Sequence, residues 1–108
     1  MILFITEVLH HIDNLVFHHA TLVQLLTPLA PVWYQLGEEL GLTAHLEKIE
    51  VNNMGNEESC LRALLYVWEE QSQKRFYSWI TIIKCVKNLG AVRLANALAQ
   101  RTDNHSAI

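Results

Sequence analysis

Chain breakers are scarce in this sequence: its 108 residues hold four glycines and two prolines, so long helical runs meet few obstacles. Two cysteines, Cys60 and Cys85, are too few for a disulfide framework. Each falls in an apolar helical stripe, where cysteine behaves as a small buried hydrophobe. That usage suits a reducing compartment, and a cytoplasmic location is expected. No apolar run approaches the roughly 20 residues of a membrane span. Residues 1–5 are apolar, but no basic segment precedes them, and Glu7, His10 and His11 interrupt the apolar stretch. No signal peptide is expected. A glycine-rich phosphate loop and a G-x-S-x-G nucleophile turn are also missing, which argues against the commonest nucleotide-dependent and hydrolytic chemistries.

Charge of one sign is missing by segment. Residues 71–101 contain no acid and six bases (Lys74, Arg75, Lys84, Lys87, Arg93 and Arg101), whereas residues 38–70 hold eight acids against Lys48 and Arg62. The whole chain nets only −3. What is abundant is apolar side chain, 51% of the residues, enough to fill the core of one ordinary domain.

The apolar positions recur at helical spacing. Ile5, Val8, Leu9, Ile12, Leu15 and Val16 form a first stripe, continued by Leu22, Val23, Leu25, Leu26 and Leu29. Pro28 and Pro31 should end that region, since a residue before proline avoids the α conformation. Pro31 is suited to be the first residue of the next helix, with Trp33, Leu36 and Leu40 facing inward and Gly41 as its stop. Thr43 is expected to cap a short helix presenting Leu46 and Ile49. Residues 52–56 read as a turn, and Asn56 should cap a strong helix with Glu57 and Glu58 in its first turn. Its inward stripe is Cys60, Leu61, Leu64, Leu65 and Trp68, and Glu58–Arg62 and Glu70–Lys74 are i,i+4 pairs on its surface. After a polar stretch at 71–77 come Trp79, Ile82, Ile83, Val86 and Leu89, ended by Gly90, and then Leu94, Ala95 and Leu98. The sequence therefore predicts an all-α fold: an N-terminal helical extension over 1–20, a bundle over 21–100 and a fraying tail over 101–108.

The segment Trp33-Tyr34-Gln35-Leu36-Gly37-Glu38-Glu39-Leu40-Gly41-Leu42 resembles the second helix of a death domain, W-x-x-L-[AG]-x-x-L-G-L. Ile49-Glu50 is similar to the third-helix signal, and Cys60-Leu61-Arg62-Ala63-Leu64-Leu65-Tyr66-Val67-Trp68 to the fourth, C-L-x-x-L-L-x-x-W. Residues 79–89 and 94–98 match the fifth and sixth, and 21–30 would be the first. Residues 1–20 lie outside the pattern, and the third helix and the loop after it are short. The resemblance implies an antiparallel six-helix Greek-key bundle. It also implies homotypic association with itself or other death-fold domains, in cell-death or innate-immune signalling. On that reading Glu38, Glu39, Glu47 and Glu50 form an acidic face and Lys74, Arg75, Lys84, Lys87 and Arg93 a basic one. Complementary patches on one molecule give a head-to-tail contact that repeats rather than closing as a dimer. The alternative is a monomeric regulatory or decoy module whose segment 1–20 covers an interface.

Other chemistry is less well supported. Six histidines invite a small metal- or ligand-binding protein. The His10-His11 and His18-His19 pairs, however, are separated by on the order of 10–14 Å along a helix, against ligand distances of about 2 Å around zinc. His45 and His105 are isolated, and all six are expected on the solvated surface. Neither cysteine has a paired histidine at a useful spacing, so no catalytic residue and no cofactor are assigned. Trp33, Trp68 and Trp79 sit in apolar stripes and belong to the core rather than to a stacking platform for nucleic acid. Ser106-Ala107-Ile108 fits a C-terminal ligand for a PDZ groove, a pattern short enough to arise by chance.

Overall fold

The computed structural model describes Leu15, residues 18–72 and residues 77–106, the last six by their backbone alone. Helices follow one another as α1 (His19–Leu26), a 3-10 helix (Thr27–Val32), α2 (Trp33–Glu39), α3 (Thr43–Asn52), α4 (Glu57–Gln71), α5 (Trp79–Asn88) and α6 (Val92–Ser106). No strand occurs among the described residues.

The prolines act differently from the sequence expectation. α1 buries Leu22 and Leu26 and ends there, one residue before Thr27-Pro28. The chain does not open into a loop. It tightens into the 3-10 helix, with Pro28 in its first turn and Pro31 inside it rather than at the start of α2. Pro28 removes a donor that a helix start leaves unused anyway. The 3-10 turn brings Leu29 and Ala30 into the core, against α4.

α2 stops in a Schellman motif. Leu42 N–H donates to the Gly37 carbonyl at 2.9 Å and Gly41 N–H to Glu38 at 3.1 Å. Gly41 takes φ +76°, which a side chain would strain. α3 stops the same way, with Gly55 N–H on the Glu50 carbonyl at 3.0 Å and Met54 N–H on Val51 at 3.2 Å. There the left-handed position holds Met54, at φ +53°. Thr43 is not a cap: it is the first residue of α3, and Leu42 before it makes no side-chain capping bond. Asn56 does cap α4, its Oδ1 accepting from Ser59 N–H at 2.9 Å. Ser78 caps α5, its Oγ accepting from Thr81 N–H at 3.2 Å.

α4 is the central element. It packs on α1, on the 3-10 helix, on α2 and on α3, while α5 packs on α2 and α6. Its buried stripe, Cys60, Leu61, Leu64, Leu65 and Trp68, has the 3-4 spacing of one helix face. In the same core lie Trp33, Leu36, Leu46, Ile49, Trp79, Ile82, Val86, Ala95 and Leu98, all buried. Leu40, Ile83 and Leu94, read from the sequence as core, are half-buried and pack on its edge. Gly37 is where α2, α3 and α4 come closest: a Cβ there would collide with the Leu46 side chain and lie 3.1 Å from Leu64 Cδ1.

Both ends depart from the expected boundaries. Leu15, inside the supposed extension, is fully buried in the same core. α6 remains helical through Ser106, past the point where a fraying tail is expected. The rest of the stripe that begins at Ile5 lies outside the described residues.

Candidate interaction surface

Glu38 and Glu39 occupy the last turn of α2, and Glu47 and Glu50 the outer side of α3; all four are exposed. Lys84 and Lys87 lie on the outer side of α5 and Arg93 in the first turn of α6, exposed as well. Lys74 and Arg75 lie outside the described residues, as do Ala107 and Ile108 of the PDZ-type terminus. No ion pair joins the two charged sets among the described residues.

The sets are not cleanly opposed, because α2 and α5 are neighbours. Asn88 Nδ2 donates to Glu39 Oε2 at 3.4 Å, and the Cys85 thiol donates to the Glu39 carbonyl at 3.6 Å. Glu39 is thus turned toward the helix that carries Lys84 and Lys87. Burial, and then the Glu39 charge, push the Cys85 thiol above its usual range, with Lys84 working the other way. The Cys60 thiol is likewise raised by burial, then by Glu50 and Glu57. Neither thiol has the lowered pKa of a nucleophile. On α4, Arg62 donates to Ser59 Oγ at 3.4 Å and makes no ion pair with Glu58.

A second polar constellation escaped the sequence reading. His19, expected on the solvated surface, is half-buried, with Nδ1 2.6 Å from the Tyr77 hydroxyl and 3.5 Å from Glu69 Oε2. Tyr77 is buried and packs against Trp68 with the rings tilted by 56° and their centroids 4.6 Å apart. The group joins the start of α1, the end of α4 and the approach to α5. Burial, then the charge and hydrogen bond of Glu69, hold the Tyr77 phenol well above its ordinary range. A phenol whose folded pKa is raised contributes stability that is complete below the unfolded value of about 10 and is lost as pH rises through the folded one. At about pH 11, absorbance near 295 nm should therefore give equal phenolate for folded wild type and folded Tyr77→Phe. One extra phenolate should appear in the wild type only after denaturation. An extra phenolate in the folded wild type at that pH would mean that Tyr77 is solvated. Among the described residues, no group of three His, Cys, Asp or Glu side chains is placed to hold a metal ion.

Of the comparisons with known proteins, the one with family models agrees with this fold. Neither the curated proteins nor the solved structures include a match to the chain. The family model described as Death domain matches residues 19–102, a span that runs from the first residue of α1 into α6. With most of its length matched and an all-helical bundle built on the tryptophan–leucine–glycine helix, the chain belongs to the death domain family.

Proposed function

We propose that this death domain is an adaptor module that assembles head to tail, with itself or with other death-fold domains, in cytoplasmic cell-death or innate-immune signalling. Death domains are interaction modules, and the two charged faces give this one a means of self-association. The observation that carries the reading is the exposure of Glu38, Glu47 and Glu50 on α2 and α3 and of Lys84, Lys87 and Arg93 on α5 and α6, with no ion pair between the sets among the described residues. A second copy can then satisfy both, in a heterologous contact that propagates.

Attraction between solvated patches weakens as the Debye length falls from about 10 Å at 0.1 M salt to about 3 Å at 1 M. Light scattering should show particles that shrink across that range. Glu47→Lys/Glu50→Lys and Lys84→Glu/Lys87→Glu should each fold and each fail to assemble alone, yet assemble when mixed. A chain that stays monomeric at every salt and concentration, or charge variants that assemble like the wild type, would sink the reading.

The buried Leu15 motivates a second reading, in which residues 1–20 form part of the folded unit and cover a surface that would otherwise bind partners. Deleting residues 1–14, which leaves the buried Leu15 in place, should then increase assembly without lowering the melting temperature. If the deletion unfolds the protein instead, the segment is core and the reading fails.

A further inference from the structure

Two helices with different main packing partners carry outward stripes of matching order. α3 packs on α2 and α4, and α5 on α2 and α6. On α3 and the turn after it, Glu47, Glu50 and Met54 are exposed, three and then four residues apart, with Val51 among them. On α5, Lys87, Lys84 and Ile80 are exposed, three and then four residues apart in the reverse direction. At 3.6 residues per turn, Glu47, Glu50 and Val51 fall within about 100° of the helix circumference, and Ile80, Lys84 and Lys87 within about 60°. Each stripe is charged at one end and apolar at the other. Val51 is 70% exposed, Met54 95% and Ile80 55%. Met54 also stands in the left-handed position that closes α3, at φ +53°, where glycine or asparagine is the usual choice. A methionine held there in solvent gains almost no packing within its own chain.

We infer that these stripes are the two halves of one contact: α3 of one copy docks antiparallel on α5 of the next, with Val51 and Met54 closed over Ile80. Laid antiparallel, the stripes pair Glu47 with Lys87, Glu50 with Lys84, and Met54 with Ile80. Laid parallel, they set Glu47 against Ile80 and Met54 against Lys87, so that two charges are desolvated on apolar groups. Lys48 does not disturb the antiparallel pairing, since it lies about 100° round α3 from Glu47, on the side away from Glu50. α5 itself carries no acid, and Glu39 reaches it at Asn88, beside the stripe and not on it. The occupant is a second copy because the complement of each stripe, in charge and in apolar surface, is present on the chain itself. The inference rests on the head-to-tail reading and gives it a register. Charge steers the encounter and fixes the order, and burial of the three apolar side chains holds the junction.

Full-length Met54→Cys and Ile80→Cys chains, mixed and treated with a short bismaleimide, test the register. The native thiols are both buried and should stay out of the reaction. The mixture should give a covalent dimer that neither variant gives alone, because the contact is heterologous. Glu47→Cys mixed with Ile80→Cys should give none, and a dimer there would mean a parallel register and overturn the inference. Assembly at fixed salt gives a second measure. Val51→Ser/Met54→Ser and Ile80→Ser, all exposed changes, should leave the melting temperature in place and each raise the midpoint concentration of assembly about tenfold. The combined variant should go no further, since these side chains touch one another across the junction. Multiplication of the effects to about a hundredfold would place them in separate contacts and overturn the inference. A wild type that stays monomeric overturns it together with the head-to-tail reading. A wild type that assembles while Met54→Cys and Ile80→Cys fail to cross-link overturns this register alone.

Discussion

Trp68→Ala should lower the unfolding free energy by about 3–5 kcal/mol, the usual cost of truncating a large buried aromatic. Trp68 is 2% exposed and closes the inner face of α4 where that helix meets the Tyr77 ring. Truncation removes the transfer free energy of the indole and leaves a void that α4, fixed against several neighbours, cannot collapse to fill. Domains of this size are stable by only about 5–15 kcal/mol, so the variant should sit near the edge of folding. Urea titration reads the effect as a lower midpoint at unchanged slope. Tyr66→Ala, on the same helix but 56% exposed, is the control and should stay within about 0.5 kcal/mol of the wild type. A loss below about 1 kcal/mol for Trp68→Ala would show that the indole is not packed in the core.

Gly37→Val should have the next largest effect, about 3 kcal/mol, for the opposite reason: it adds volume where there is none. Glycine in the middle of a helix is ordinarily a weakness, and alanine gains up to about 1 kcal/mol over it. Here the gain is cancelled, because the new Cβ overlaps Leu46, itself fully buried, and crowds Leu64. Valine adds two methyl groups beyond that Cβ and is β-branched, so it cannot swing clear. Thermal melting should fall in the order glycine, alanine, valine. A valine variant as stable as the wild type would mean that α2 and α3 can separate at no cost, contrary to the close approach at this position.

The helices were legible because their buried faces repeat at 3-4 spacing: Cys60, Leu61, Leu64, Leu65 and Trp68 write one face of α4 into the sequence. Their ends were legible where chemistry is local, as at Gly41 and Asn56. The 3-10 helix was not. Two prolines three residues apart read as a break, and only packing against α4 shows that the backbone tightens through them. Ser78 was missed although it stands directly before an apolar helical run, the signal that should have found it. Leu40, a helix cap, and Ile83 and Leu94, on the margins of their stripes, were placed deeper than they lie, because periodicity gives direction and not depth.

The surface was legible as composition and not as arrangement. Segregation of acids from bases is plain in the chain, but Glu39 abuts the lysine-bearing helix only because α2 and α5 pack together. The His19–Tyr77 contact joins residues 58 apart in sequence, and no local pattern announces such a pair.

Leu15 sets a practical limit on how the protein can be shortened. It lies ahead of both α1 and the first residue of the family match, yet no part of it reaches solvent. A fragment trimmed to the matched span would begin with an unfilled leucine-sized hole at its own threshold. What such a fragment does in solution would then report on the damage as much as on the domain.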